Sequence, residues 1–267
     1  MEKAQSRDGV TIAFDRSGEG PAVVLVDGAL CRREAGPSGP VAALLASHFT
    51  VFTYDRRGRG DSGDVTPYAV AREIDDLDAV INAAGGSACV YGSSSGAVLA
   101  LRAAAHGSGV TKLALYEPPF ILDDSRPVAH DFSAQIVELL GQGHRGDAIE
   151  YFMTKGAEAP AEMVAMMRQQ PMWAAMEQLA PTLTYDVTIM GDTQRGKPLS
   201  PEWVAQMSAI TAPTLVMGGG ASPAWLQHAA QSVAEGIPGA QFRLLEGQTH
   251  GVAAEAIAPA LEAFFAG

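Results

Sequence analysis

Ser94 stands between two glycines in Gly92-Ser93-Ser94-Ser95-Gly96, a setting suited to nucleophilic attack. A serine hydroxyl is a poor nucleophile until a base takes its proton, and it must stand clear of the backbone to meet that base. A sharp turn from strand to helix achieves this, and small flanking residues let the chain make it. The residues on either side fit. Residues 88–91 are an apolar run of strand length, and 96–106 are rich in Ala and Leu, as in a helix. The amino end of that helix would offer free N–H groups and a positive dipole end to a developing oxyanion. The five-residue pattern alone is common in Ser-rich loops, and its siting between a strand and a helix gives it weight.

A serine nucleophile needs a base, and His250 is the best placed of six histidines. His48, His106, His130, His144 and His228 sit near expected helix ends or in a helical block, where a surface role is the default. His250, in Gly247-Gln248-Thr249-His250-Gly251, follows the last expected strand. Its imidazole would take the Ser94 proton and later deliver it to a leaving group. The alternative is an exposed loop histidine.

The elements that must position these groups alternate. Asp8-Gly9 reads as a hairpin turn before a strand at 10–15, and 22–26 is a continuous apolar run of the kind buried on both faces. A loop containing Asp27-Gly28-Ala29 leads to a helix at 41–47, then a strand at 50–54. Val70, Ile74, Leu77 and Ile81 repeat with helical period. After the Ser94 strand and helix comes a strand at 111–116, which ends at Glu117-Pro118-Pro119. Strand and helix alternation predicts an α/β fold, a mostly parallel sheet with helices on both faces. It stops at 120–200, where helical stretches at 131–140, 147–153 and 161–190 (broken near Pro171 and Pro181) are expected. It resumes with a strand at 213–217, a helix at 223–235, a strand at 241–245 and a final helix carrying Ile257, Leu261, Phe264 and Phe265. The expected organisation is a core of 1–119 and 201–267 with a helical cap of 120–200 inserted.

Composition narrows the function classes. The 267 residues, 47% of them hydrophobic, can bury a sizeable core. A formal net charge of −12 argues against nucleic acid and anionic membranes as partners. No apolar run approaches the ~18 residues of a membrane span, and the start lacks the apolar centre of a secretory signal. A cytoplasmic location is therefore expected. Cys31 and Cys89 make neither a disulfide framework nor a metal-ligand set.

Taken together, the elbow at Ser94, the helical insertion after the sixth strand and His250 after the last strand resemble the α/β-hydrolase fold. So do Asp27-Gly28-Ala29 and the loop Asp55-Arg56-Arg57-Gly58-Arg59-Gly60-Asp61-Ser62. The resemblance covers nearly the whole chain, and it specifies the fold rather than the substrate. It implies backbone N–H groups of Ser95 and Ala29 as oxyanion donors. It also implies a mainly structural role for Arg56, Arg57 and Arg59. Two departures stand out. Relatives usually have His-Gly where this chain has Asp27-Gly28, and Asp27 is expected to point away and bond the loop. Relatives also usually carry an Asp after the seventh strand, whereas Met217-Gly218-Gly219-Gly220-Ala221-Ser222-Pro223 holds no carboxylate. Some members place the acid after the sixth strand, which makes Glu117 the candidate. Asp123 and Asp124 are weaker ones. Glu117 as a mere prop for the Pro118-Pro119 turn, or a dyad lacking an acid, remain open.

Seven of the ten methionines lie in the expected cap: Met153, Met163, Met166, Met167, Met172, Met176 and Met190. Methionine adapts to irregular shapes, so a few of them, Met153 among them, with Trp173 and Cys31, are candidates to line an apolar pocket, with helix packing the alternative for most of the methionines and simple packing the preferred reading of Cys31. The leading expectation is a serine hydrolase of an ester, thioester or lactone of a small-to-medium apolar acid. It would need no metal or organic cofactor, and a homodimer is left open. The alternative is a fold relative that binds a ligand or performs lyase or cyclase chemistry.

Overall fold

The computed structural model describes residues 1–124, 126 and 132–267. Among the described residues, eight strands form one sheet: β1 (Glu2–Gln5), β2 (Thr11–Ser17), β3 (Ala22–Val26), β4 (Thr50–Tyr54), β5 (Ala88–Ser93), β6 (Val110–Tyr116), β7 (Thr214–Gly219) and β8 (Gln241–Leu245). Their order is β1-β2-β4-β3-β5-β6-β7-β8, antiparallel at the β1–β2 and β2–β4 pairs and parallel elsewhere.

Register alone gathers the chemistry at one edge. Val26 pairs with Gly92, Ser93 with Tyr116, and Tyr116 with Met217. The next residues, Asp27-Gly28, Ser94, Glu117 and Gly218-Gly219, therefore lie side by side where the parallel strands end. Chain connectivity never brings them together; hydrogen-bonded strand neighbours do.

The helices are α1 (Ser38–Leu45), α2 (Val70–Ala83), α3 (Ser95–His106), α4 (Phe132–Gly141), α5 (Arg145–Tyr151), α6 (Ala161–Arg168), α7 (Met172–Leu179), α8 (Leu183–Met190), α9 (Pro201–Ser208), α10 (Ala224–Gly236) and α11 (Ala254–Ala266). On β3, Val23 and Leu25 face α1 and α11, while Val24 and Val26 face α2, α3 and α10. Both faces of the strand are covered, which explains its unbroken apolar run. Helices α4 to α8 contribute to a core of their own, built on Phe132, Ile149, Val164, Trp173 and Leu183, while α9 joins the sheet-side core through Trp203 and Met207. Among the described residues, no helix is long and apolar enough to cross a membrane.

Two local readings differ from expectation. Helix α9 was not expected. Pro201 opens it, where a missing N–H costs nothing, and Trp203 and Met207 bury its inner side at a spacing of one helical turn. α5 runs on into a π-helical turn, Phe152–Gly156, with Gly156 against the Phe132 ring. The predicted start at Asp131, like His130, lies outside the described residues. The 120–200 block holds no strand among its described residues beyond a single Ile121–Gln194 bridge.

Candidate active site

At the elbow, Ser94 has φ 56° and ψ −127°, a conformation that side-chain-bearing residues rarely adopt. The surrounding glycines explain how the chain tolerates it. A Cβ at Gly92 would lie 2.5 Å from the Gly96 carbonyl oxygen, and one at Gly96 only 2.3 Å from that of Val26. Strand, turn and helix touch through bare backbone, which lifts the Ser94 side chain above the sheet edge.

Ser94 meets His250 there. His250 Nε2 lies 3.1 Å from Ser94 Oγ, and Nδ1 lies 2.7 Å from Glu117 Oε2. A carboxylate facing Nδ1 holds the proton on that nitrogen, so Nε2 is left to accept from the serine hydroxyl. The relay can pass a proton from serine to imidazole while a buried anion steadies the resulting charge.

Glu117 does more than brace a turn. It is fully buried with φ 45°, in the left-handed region, and its Oε1 accepts the Gly219 N–H at 2.7 Å. The end of β7, which carries no acid, thus supplies a backbone donor to an acid on β6. A Cβ at Gly219 would lie 2.4 Å from the Gln248 carbonyl oxygen, so the glycine also makes room for the His250 loop. Tyr116, next to Glu117, donates its hydroxyl to the Thr249 carbonyl at 2.5 Å and ties that loop down. Asp123 instead faces exposed His228 at 2.8 Å, and Asp124 is exposed.

Gly28 backs directly onto the serine. A Cβ at that position would be 2.9 Å from Ser94 Cβ, so only glycine lets the Asp27-Gly28-Ala29 backbone come this close. Asp27 is turned away, accepting the Ser38 hydroxyl at 2.6 Å. Burial pushes its carboxyl up to about 6, against the pull of that hydrogen bond. The Ser95 hydroxyl does not cap α3. It donates to Asp186 on α8 at 2.7 Å.

A cavity of about 600 Å³ opens over Ser94 and His250. Ala29 and Cys31 line its floor, and Met153, Met167, Met172, Met176 and Met190 line its roof. More methionines face it than expected, while Met163 and Met166 lie outside it. Trp173 is a correction. It is buried in the core of the helical insertion, its indole N–H on Glu177 at 3.1 Å, because α7 turns that side inward and its Met172 and Met176 toward the cavity. Cys31 donates to the Ala29 carbonyl at 3.3 Å, and burial, helped by Asp27, pushes its thiol up to about 12. It stays a thiol at neutral pH and packs as a small apolar group.

The three loop arginines are buried and paired. Arg57 binds Asp76 and Asp8, Arg56 binds Glu73 and Asp186, and Arg59 binds Asp186. Asp186 was missed by sequence reasoning. One signal was available: an acidic residue among Leu183, Val187 and Met190 on the buried side of a helix, in a chain whose loop arginines need counterions.

A model of the alpha/beta hydrolase family matches residues 23–261. Among solved structures, an alpha/beta hydrolase from Sphaerobacter thermophilus DSM 20745 is 55% identical, with a TM-score of 0.90 over 99% of this chain and 100% of that one. An enol-lactonase from Burkholderia xenovorans LB400 shares the fold at 20% identity and a TM-score of 0.71, with 100% of both chains covered. The uncharacterized hydrolase YraK of Bacillus subtilis (strain 168) is 30% identical over 146 residues, 53% of this chain and 53% of its own. The chain thus spans about half the length of that curated relative.

Proposed function

The chain belongs to the alpha/beta hydrolase family, and on that premise we propose that it is a serine hydrolase of esters, thioesters or lactones of small-to-medium apolar acids. The observation that carries the reading is the continuous relay from Ser94 Oγ through His250 to Glu117 Oε2, at 3.1 and 2.7 Å. Ser94 attacks the acyl carbon and passes its proton to His250 Nε2. The oxyanion is held by the N–H groups of Ser95 and Ala29. His250 then protonates the leaving oxygen or sulfur, and an acyl group remains on Ser94. Water repeats the sequence and releases the acid.

The helical insertion acts as a cap. Its methionines form an adaptable apolar roof, suited to an acyl chain rather than to a single rigid shape. The reading without hydrolysis drew its support from the missing acid after β7 and from Asp27 in place of the usual His; the Glu117 contact with His250 and the turn of Asp27 toward Ser38 favour hydrolysis. Pre-steady-state hydrolysis of p-nitrophenyl esters tests the proposal. A nitrophenolate burst equal to the enzyme concentration, followed by slower turnover, is expected for an acyl-enzyme. Turnover by folded Ser94→Ala at the wild-type rate would refute it.

A further inference from the structure

One buried cluster links the cap to both oxyanion donors. Asp186 of α8 is 2% exposed. Arg59 Nη2 donates to its Oδ1 and Oδ2 at 2.9 and 2.8 Å, Arg56 Nη1 donates to its Oδ1 at 2.9 Å, and Ser95 Oγ donates to the same oxygen at 2.7 Å. Burial alone would disfavour the charged form of Asp186, but Arg59 and Arg56 outweigh that and hold its carboxyl below the usual range. At neutral pH it is an anion.

The same arginines reach the loop beside Ser94. Arg59 Nη1 donates to the Gly28 carbonyl at 2.6 Å, and Arg56 Nη1 to the Asp27 carbonyl at 3.3 Å. The Gly28 carbonyl and the Ala29 N–H belong to one planar peptide unit. Fixing the oxygen fixes the direction of the N–H on its other side. A guanidinium on the oxygen also polarises the amide and makes its N–H a stronger donor. Ser95, the other donor, opens α3 and has its side chain pinned to Asp186.

From this we propose that Asp186 is a positioning residue: acting through Arg59 and Ser95, it aims both oxyanion N–H groups, so the oxyanion hole is complete only when α8 of the cap is seated on the core. Asp186 touches no reacting atom. It is the counterion that lets Arg59 and Arg56 lie together and keeps each on its carbonyl. Without it the two guanidiniums repel, Arg59 loses the anchor that presents Nη1 to Gly28, and the Ser95 hydroxyl loses its acceptor. The proposal rests on Ser94 being the nucleophile.

Steady-state hydrolysis of a p-nitrophenyl ester, the rate of labelling by a fluorophosphonate, and thermal unfolding are measured for wild type, Asp186→Asn, Ser95→Ala, Arg59→Lys and Arg59→Met. Tyr185→Phe on the same helix is the control, since it removes only the exposed hydrogen bond to Asp64. Removing an oxyanion donor outright costs about 100- to 1,000-fold in kcat. Misaiming the donors is therefore expected to lower kcat and the labelling rate by about 10- to 100-fold in Asp186→Asn and by roughly 3- to 10-fold in Ser95→Ala. KM stays within about twofold, because ground-state binding does not use the oxyanion hole. Arg59→Lys retains more kcat than Arg59→Met, because lysine can still donate to Gly28. Tyr185→Phe matches wild type. Folded Asp186→Asn with wild-type kcat, or with its loss entirely in KM, overturns the proposal. If Asp186→Asn fails to fold, Ser95→Ala and Arg59→Lys decide, and wild-type kcat in both overturns it. Wild-type protein that resists the fluorophosphonate refutes the nucleophile itself and the proposal with it. Labelling that proceeds equally in wild type and every folded variant refutes only the proposal.

Discussion

Glu117 at the sheet edge and Asp186 on the helical insertion are both buried carboxylates, 0% and 2% exposed, yet their surroundings differ in kind. Glu117 is held by a neutral backbone N–H from Gly219 and faces His250, a group that gains and loses a proton. Asp186 lies between two guanidiniums that never lose theirs. The first carboxylate could offset an imidazolium formed in the proposed reaction. The second is fully committed, and can only fix what surrounds it. Backbone follows the same division. The sheet edge is built from residues in rare conformations, Ser94 and Glu117, pressed against glycines. The insertion is short helices, one running on into a π-helical turn, and five methionines are among the residues on its cavity side. On the proposed function, chemistry that tolerates little displacement would sit on the strained, glycine-packed edge, and adaptable recognition on the methionine-lined roof.

The largest effect should come from changing the charge at the sheet edge while keeping its shape. Glu117→Gln retains an acceptor for Gly219 N–H but removes the anion facing Nδ1. A fall in kcat of roughly 10³- to 10⁴-fold at pH 7–8 is expected from steady-state ester hydrolysis. A loss below tenfold would leave His250 working without an acid, and the contrast between the two carboxylates would collapse.

Asp27 offers a second test of how the edge handles charge. Its carboxyl is pushed up to about 6 by burial. With the native value above the unfolded one, stability is intact where both states are protonated. It is lost as pH rises from about 4 through about 6, when the unfolded chain ionises more easily. Asp27→Asn should therefore match wild type near pH 4 and exceed it by up to about 3 kcal/mol above pH 7. Denaturant unfolding at the two pH values checks this, and a difference that does not change with pH would contradict it.

The smallest effect belongs to the roof. Met176→Ala should leave kcat for acetate esters within about twofold and shift preference toward longer or bulkier acyl chains by a few-fold in kcat/KM, read from a panel of ester chain lengths. One extra methylene in an apolar pocket is worth ~1–3 kcal/mol at most. A uniform loss across the panel would mean that the roof orients the reaction rather than sorting substrates.

How legible each part was follows from the range of the interactions that build it. Ser94 and His250 were legible because a strained turn and a strand-end loop are encoded by a handful of adjacent residues. Glu117 was legible as a siting, the residue just past β6, but its contact with His250 depends on three strands in register. The glycines after β7 read as a defect in the sequence, where an acid was missing. In the structure Gly219 is the donor that secures the acid from next door. Asp186 had almost no local signal, since its partners lie on the loop after β4 and at the start of α3. Trp173 and the methionines share the insertion, and which of them faces the cavity depends on the rotation of α7 about its axis, which composition does not set.

Intact-mass measurement after treatment with a small fluorophosphonate tests the central claim most directly, on wild type, Ser94→Ala and Ser93→Ala. A single phosphonyl adduct is expected on wild type and on Ser93→Ala, and none on folded Ser94→Ala. An unmodified wild type, or an adduct that persists in Ser94→Ala, would contradict it.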